Sequence, residues 1–171
     1  KTIKDTFDSM LSQTYNNIEY IVVDGNSKDS TIDIVKEYEQ KCLSRNIEFK
    51  WISEKDNGLY DAMNKGFKLA TGDYVCFLNA GDCFHEDDTL ALMVKSVNKN
   101  YLPDIIYGET AIVNSERHFL HMRRLSTPKK LNWKSFKNGM LVCHQAFFAK
   151  REIAITEPYN LKYRFSADFD W

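Results

Sequence analysis

The chain has 171 residues, of which 43% are hydrophobic and 27% are charged, a balance that is typical of one globular domain and excludes an intrinsically disordered segment. Its 23 basic and 24 acidic side chains nearly cancel, so we predict no nucleic-acid partner. The longest apolar runs fall far short of the ~20 residues that a membrane-spanning helix needs, and no signal peptide opens the chain, which together predict a cytoplasmic protein.

The first half of the chain alternates between helical and strand periodicity. Apolar residues recur every three or four positions in residues 3–11, which predicts a helix. The β-branched run Ile18–Val23 predicts a buried strand that stops at Asp24 and Gly25, and Phe49–Ser53 is predicted to be the next strand. This order indicates a β-α-β unit.

A second helix-then-strand pair follows. The apolar stripe in Leu59–Ala70 predicts a helix, and Tyr74–Leu78 predicts a third buried strand. Asp87 or Asp88 is expected to cap the helix after it. Strands alternating with helices predict an α/β protein, a Rossmann-like three-layer α/β/α sandwich with a mostly parallel central sheet, whose ligands bind at the carboxyl ends of the strands.

The second half changes character. Ile105–Tyr107, Thr110–Val113 and Arg117–Met122 are predicted to be short strands, and Cys143–Lys150 is predicted to be an apolar strand. The basic loop Arg123–Lys134 either closes over a diphosphate, touches anionic lipid, or is simply solvated.

Carboxylates collect where the predicted strands end. They are Asp24, Asp56 and Asp82, with Asp168 and Asp170 at the end of the chain. The ordinary interpretation of such residues is turn formation and helix capping. The segment Leu78–Asp82 is more informative, because a strand runs directly into a tight turn that presents carboxylate and amide oxygens, which hard divalent cations prefer.

Several motifs occur in an order and spacing that resemble family 2 glycosyltransferases. They are Leu11–Tyr15, Val22–Thr31, Ser53–Gly66, Ala70–Tyr74, Asn79–Asp82 and Ser166–Trp171. The resemblance spans nearly the whole chain and is strongest to bacterial colanic-acid, capsule and exopolysaccharide enzymes. It implies a GT-A fold, inversion at the anomeric carbon, and a nucleotide-diphosphate sugar as donor.

The resemblance also implies roles for individual residues on the donor side. Asp24 and Gly25 would lie at the nucleotide-binding edge, and Asp56 would contact the nucleotide or the donor sugar. The same set includes Asn64, Asn79 and Asp82. Asp82 matches the metal-binding carboxylate, which would hold Mn²⁺ or Mg²⁺ against the diphosphate. Many relatives carry an acid where this chain has Gly25.

On the acceptor side, the resemblance assigns the general base to Asp168, with Asp170 as its rival. In an extended strand both side chains would point to one face, so their spacing does not choose between them. His144 and Gln145 are assigned to acceptor or diphosphate binding, the alternative for the histidine being a structural role in an apolar strand.

These implications define the expected function. The chain would transfer a hexosyl or N-acetylhexosaminyl group to a saccharide or lipid-linked saccharide in bacterial surface polysaccharide biosynthesis, in the cytoplasm and in peripheral contact with the inner face of the plasma membrane. Residues 1–100 would bind the donor and 101–171 the acceptor within one catalytic domain, 1–171, that lacks the family's first strand and a C-terminal region. A nucleotidyltransferase and a non-catalytic nucleotide-sugar-binding module are the alternatives.

Three aromatic side chains are predicted to belong to the core, namely Tyr60, Phe67 and Trp133. The alternative for Trp133, and a candidate role for Trp171, is stacking against a sugar ring.

Overall fold

The fold is seen in a computed structural model that describes residues 2–97 and 102–171. Its helices are α1 (Thr2–Leu11), α2 (Thr31–Ser44), α3 (Leu59–Leu69), α4 (Thr89–Ser96), α5 (Arg151–Ala154) and α6 (Ala167–Asp170). Its strands are β1 (Glu19–Asp24), β2 (Glu48–Ser53), β3 (Tyr74–Val75), β4 (Ile105–Tyr107), β5 (Ala111–Val113), β6 (Phe119–Met122) and β7 (Phe147–Lys150). Two 3₁₀ helices, Trp133–Asn138 and His144–Ala146, precede β7. The predicted boundary between the two halves, at residues 100 and 101, lies outside the described residues.

Strands β1 and β2 form a parallel pair with helices on both faces. On one face, the Phe7 ring of α1 packs against Tyr20 of β1 and Tyr38 of α2 at centroid distances of 5.5 and 4.7 Å. On the other face, a Cβ added to Gly66 of α3 would lie 3.9 Å from a methyl carbon of Val23 in β1. Because Tyr20 and Val23 have opposite strand parity, their side chains point to opposite faces. The predicted α/β/α layering is therefore confirmed around this pair.

The predicted third strand is shorter than expected. Of Tyr74–Leu78 only the first two residues form a strand, and they pair antiparallel with β7, which also pairs antiparallel with β4. A cleft of about 730 Å³, lined by apolar residues that include Val22 and Phe77, lies between β1 and residues 74–80. Ladder hydrogen bonds cannot cross such a gap, so the extended segment after Val75 is not a strand.

Helix α1, together with Gln13 two residues beyond its end, uses buried polar side chains to hold the segment that follows β3. Thr6, Ser9 and Gln13 are at most 7% exposed. Thr6 Oγ1 accepts from the backbone N–H of Gly81 at 2.8 Å, Ser9 Oγ from that of Phe84 at 3.0 Å, and Gln13 Oε1 from that of Leu90 at 3.0 Å. These bonds satisfy polar groups that would otherwise be buried without partners.

The last of these bonds replaces a predicted helix cap. Asp88 occupies the N-cap position of α4, but its side chain makes no capping hydrogen bond. The carbonyl oxygen of the Gln13 side chain accepts from Leu90 instead. The prediction that Asp87 or Asp88 caps this helix is wrong, because a long-range contact supplies the acceptor that a local carboxylate usually provides.

Two further differences concern the second half and the core. The predicted strand Cys143–Lys150 begins as a 3₁₀ turn, closed by a 2.9 Å hydrogen bond from Ala146 N–H to the Cys143 carbonyl, so His144 and Gln145 are not in a strand. Tyr60 and Phe67 are buried as predicted, but Trp133 is 72% exposed and does not belong to the core. Among the described residues, no helix is both long and apolar enough to cross a membrane.

Candidate functional site

Asp24 ends β1 as a buried carboxylate, 7% exposed. Its Oδ2 accepts hydrogen bonds from Ser27 N–H at 2.9 Å and from the Ser53 hydroxyl at 2.7 Å. Burial alone would raise the pKa of Asp24, but the hydrogen bonds from Ser27 and Ser53 stabilise the charged form and lower the pKa below its ordinary value. Asp24 is therefore an ionised and fixed element of the sheet edge.

Gly25 and Asp56 lie in direct contact beside it. A Cβ added to Gly25 would be 2.5 Å from Asp56 Oδ2, well inside van der Waals contact. The other oxygen of Asp56 accepts from Gly58 N–H at 2.9 Å. The glycine thus leaves the space that the Asp56 carboxylate occupies, and two residues predicted for the same binding edge are brought together.

A cavity of about 280 Å³ opens at this edge. Asp24, Gly25, Ala80 and Thr31, the first residue of α2, contribute to its walls. The positive end of a helix dipole favours an anionic group here. Asp24 and Gly25 line this cavity but not the larger cleft between β1 and residues 74–80, so the smaller cavity is the better candidate for a donor site.

Asp82 is presented by the tight turn that follows residues 74–78. Its Oδ2 accepts from Asn79 N–H at 3.1 Å and from the Gln145 side-chain amide at 3.0 Å. Gly81 adopts φ +106, a conformation that L side chains rarely adopt. The turn and Gln145 together fix the orientation of the Asp82 carboxylate.

Asp168 is held by two side chains from different parts of the chain. The Tyr60 hydroxyl donates to its Oδ1 at 2.7 Å, and His144 Nδ1 lies 3.5 Å from its Oδ2. His144 Nε2 in turn lies 3.2 Å from the Asn79 side-chain amide nitrogen. The Asp168 and His144 side chains are each 20% exposed, which leaves the carboxylate partly accessible to a ligand.

Asp168 and Asp170 do not share a face. They lie in the short helix α6 rather than in an extended segment, and residues two apart in a helix are separated by about 200° around the axis. The extended conformation, in which both would point to one side, is therefore not the one observed. Asp170 is exposed, while Asp168 contacts Tyr60 and His144.

Consecutive residues of one 3₁₀ turn connect the two carboxylates. His144 lies against Asp168 and Asn79, and Gln145 binds Asp82. Cys143 Sγ donates to the Gln145 side-chain oxygen and fixes which end of that amide faces Asp82. The structure thus brings five of the predicted site residues into one network.

Two residues depart from the sequence-based picture. Asn64 donates to the Tyr159 carbonyl and accepts from the Tyr159 N–H, both at 2.9 Å, so its amide clamps the C-terminal segment onto α3. Its contact with a nucleotide sugar stays a prediction. Tyr60 was interpreted only as a core residue, although a buried tyrosine hydroxyl usually needs a polar partner. That requirement was the available signal for its contact with Asp168.

A divalent ion would find few protein ligands here. Among the described residues, no group of three or more His, Cys, Asp or Glu side chains is placed to hold a metal ion. Both hydrogen bonds that Asp82 accepts within residues 2–97 and 102–171 fall on Oδ2. Mg²⁺-type ions commonly bind through one or two carboxylates and take their other ligands from water and substrate phosphates. A single carboxylate at Asp82 fits that mode of binding.

The sequence is similar to that of known proteins over nearly its whole length. The sequence matches the family described as Glycosyl transferase family 2 over residues 1–156. A PGL/p-HBAD biosynthesis glycosyltransferase of Mycobacterium bovis (strain BCG / Pasteur 1173P2) is 36% identical over 165 residues, which cover 96% of this chain and 60% of the relative. An uncharacterized glycosyltransferase of Mycobacterium tuberculosis (strain CDC 1551 / Oshkosh) is 30% identical over 169 residues, with 97% and 60% covered. The chain spans about 60% of the length of these relatives.

A solved structure is also similar. The crystal structure of residues 1–349 of S. aureus TarS in complex with UDP superposes with a TM-score of 0.59 at 20% identity, covering 98% of this chain and 48% of that one. At this identity the likeness concerns the fold.

Proposed function

Because the chain belongs to glycosyltransferase family 2 and has a GT-A α/β fold, we propose that it transfers a sugar, with inversion, from a nucleotide-diphosphate sugar to an acceptor hydroxyl. The observation that carries the proposal is the network that joins the predicted metal carboxylate Asp82 to the predicted base Asp168 through Gln145 and His144. It links two carboxylates for which we propose different roles, one on the donor and one on the acceptor, as a displacement between them requires.

The donor side is proposed to lie in residues 1–100. Asp24 and Gly25 line the 280 Å³ cavity, Asp56 lies against Gly25, and the three residues would bind the nucleoside. Uridine diphosphate is the first nucleotide to test, since it is bound in the similar TarS structure. Asn79 and Asp82, on the turn beside Ala80, would face the diphosphate.

Asp82 is the residue proposed to hold Mn²⁺ or Mg²⁺. When bound, the ion would stabilise negative charge on the departing nucleoside diphosphate. The part played by the chain is orientation, because Asn79 N–H and the Gln145 amide both bind Oδ2 of Asp82. Ligands ordered in this way lose less entropy when the donor binds.

Asp168 is the proposed general base. The acceptor hydroxyl would give its proton to the Asp168 carboxylate as its oxygen forms a bond with the anomeric carbon. The bond from that carbon to the diphosphate oxygen breaks, and the nucleoside diphosphate leaves with the bonding electrons. This single displacement inverts the anomeric centre and needs no covalent nucleophile.

The acceptor is proposed to bind to residues 101–171. We place the reaction in bacterial surface polysaccharide biosynthesis, with a hexosyl or N-acetylhexosaminyl group moved to a saccharide or lipid-linked saccharide. Such an acceptor would position the protein in the cytoplasm at the inner face of the plasma membrane.

The test is a thermal-shift panel of UDP, GDP, CDP and dTDP, each with and without Mn²⁺, on the intact protein and on Asp82→Ala. Ligand at a hundredfold excess over Kd adds about 2.7 kcal/mol, or about 5–10 °C for a domain of this size. We expect one nucleotide to shift the melting temperature only when Mn²⁺ and Asp82 are both present. A folded intact protein that responds to none of the four nucleotides would contradict the proposal.

The alternative of a non-catalytic nucleotide-sugar-binding module makes a different prediction. It gives the same nucleotide-dependent thermal shift but neither transfers nor hydrolyses the donor sugar. Release of nucleoside diphosphate from the matching nucleotide sugar distinguishes the two.

A further inference from the structure

One stretch of the second half carries positive charge only. From Arg117 to Lys150, both included, there are eight Lys and Arg residues and neither Asp nor Glu. Six of the eight fall in residues 123–137, which we call the cationic segment. The chain as a whole has a net charge of −1, so this positive charge is strictly local.

The cationic segment is held in place by contacts along its length. The Tyr107 hydroxyl of β4 donates to the Pro128 carbonyl at 2.7 Å, and the Glu109 carboxylate accepts from Thr127 N–H at 3.0 Å. Asn132 starts the 3₁₀ helix Trp133–Asn138 with a capping box. The segment therefore presents its side chains from an ordered backbone.

Its most exposed aromatic side chain is surrounded by cations. Trp133 is 72% exposed, and the ammonium groups of Lys134 and Lys137 lie 5.3 and 5.6 Å from its ring centroid. Lys129 and Lys130 are exposed a few residues upstream. A solvent-facing indole next to several ammonium groups combines an apolar anchor with positive charge.

We propose that the cationic segment docks on the surface of an anionic lipid bilayer, with Trp133 in the headgroup layer and the neighbouring lysines against acidic headgroups. Tryptophan is favoured at membrane interfaces because its ring is amphipathic. Clustered lysines are attracted to the negative surface of such a membrane within a Debye length. This inference deepens the proposed function, on which it rests, since a transferase that acts on a lipid-linked acceptor must reach the membrane.

The arrangement also favours lipid over the other anion in the reaction, the donor diphosphate. A phosphate group would be matched by the lysines alone, and the exposed Trp133 ring would have no role in binding it. The chain runs from Asn138 to His144 in six residues, so a bilayer contact at the cationic segment would bring the acceptor side of the site near the membrane surface.

The test is co-sedimentation of the intact protein, without donor, with vesicles of phosphatidylcholine and of phosphatidylcholine with 30% phosphatidylglycerol, where the lipid fraction is a choice of the experiment. We expect binding to the anionic vesicles alone, weakening as salt is added. Lys134→Gln with Lys137→Gln should weaken binding about 25-fold, because each basic residue contributes about fivefold. Trp133→Ala should weaken it several-fold.

The matched control is Lys36→Gln with Lys68→Gln, which removes the same charge from exposed positions on α2 and α3. It should bind vesicles almost as the parent does. Equal binding to both kinds of vesicle, or equal losses in the two double variants, would overturn the proposal. So would a loss of nucleotide-dependent thermal shift in the Lys134 and Lys137 variant with unchanged vesicle binding, which would assign the segment to the diphosphate. Vesicle binding is measured without donor. Its result can therefore be interpreted even if the transferase proposal fails.

Discussion

The Tyr60 hydroxyl donates a 2.7 Å hydrogen bond to Oδ1 of Asp168, although the two residues are 108 positions apart in the chain. Burial and the adjacent Asp168 carboxylate raise the pKa of Tyr60, so the phenol keeps its proton and remains a donor. One oxygen of the proposed base is therefore occupied, and the carboxylate has a fixed orientation. Helix α3 thus contributes a contact to the proposed base.

Tyr60→Phe removes this donor while keeping the ring. We expect kcat for transfer to fall about tenfold with the donor KM nearly unchanged, because the proposed base loses the contact that orients its carboxylate. Initial rates over a range of donor concentrations measure both constants.

Tyr38→Phe is the matched control for that variant. The Tyr38 hydroxyl donates to Asp8 at 2.6 Å. Tyr38 belongs to a different core cluster from Tyr60. Both variants should lose about 1.5–3 kcal/mol of unfolding free energy, but only Tyr60→Phe should lower kcat. If both variants lowered kcat, or neither did, Tyr60 would have a purely structural role.

The two candidate bases should respond very differently to mutation. Asp168→Asn is expected to lower kcat by about 10²–10⁴-fold, the usual contribution of a general base, while the nucleotide-induced thermal shift persists. Asp170→Asn, at an exposed position, should retain most of the activity. Comparable losses in the two variants would remove the assignment of Asp168.

Gln145→Leu tests the orientation of Asp82. The variant keeps a side chain of comparable bulk but loses the amide that binds Asp82 Oδ2 at 3.0 Å. We expect the Mn²⁺ concentration for half-maximal nucleotide binding to rise about 10- to 100-fold, as when groups that orient a metal ligand are removed. Titration of Mn²⁺ by calorimetry measures this, and Gln40→Leu on the exposed side of α2 should leave it unchanged.

Gly25→Ala tests the contact between Gly25 and Asp56. The new methyl carbon would lie 2.5 Å from Asp56 Oδ2, so the carboxylate must move or the backbone must shift, at about 1–3 kcal/mol of unfolding free energy. We also expect nucleotide affinity to fall. Gly108→Ala, which has no heavy atom within 4 Å of the added carbon, is the control for both measurements. In an Asp56→Ala background Gly25→Ala should cost much less stability, and an undiminished cost there would refute the collision.

Asp24 should make stability depend on acid pH. Its pKa in the folded chain lies below the ordinary 3.8, so the unfolded chain binds the proton more readily. Its stabilising contribution is fully present at neutral pH and is lost as pH falls through 3.8 toward the folded pKa. Urea unfolding from pH 3 to 7 should show a shallower acid dependence in Asp24→Asn than in Asp88→Asn, a change at an exposed carboxylate without a side-chain cap bond.

The sequence predicts the first half of the fold well because its periodicities are long and distinct. The strand predicted at Ile18–Val23 is observed at Glu19–Asp24, and that predicted at Phe49–Ser53 is observed at Glu48–Ser53. Short apolar runs carry less information. The pattern of Cys143–Lys150 fits a strand or a turn. The boundary between the 3₁₀ helix and β7 depends on pairing with β3 and β4, which the local sequence does not specify.

The candidate site shows the same division. Carboxylates at strand ends can be located from sequence because parallel strands share one carboxyl edge. Contacts between distant segments cannot, since no local pattern specifies that Tyr60 meets Asp168 or that Gln145 meets Asp82. The exposed position of Trp133 was missed for a related reason: an isolated tryptophan has no periodic partners that would indicate which side of the chain is covered.

Hydrogen bonds couple helix α1 to the turn that carries Asp82. Thr6 and Ser9 of α1, together with Gln13 just after it, bind the backbone on both sides of Asp82. We therefore expect fraying of this helix and release of the turn that carries Asp82 to be one cooperative event. A donor bound at Asp82 would therefore slow hydrogen exchange in a helix most of which it does not touch. Binding at Asp82 would therefore be detected as increased hydrogen-exchange protection of the backbone amides of α1.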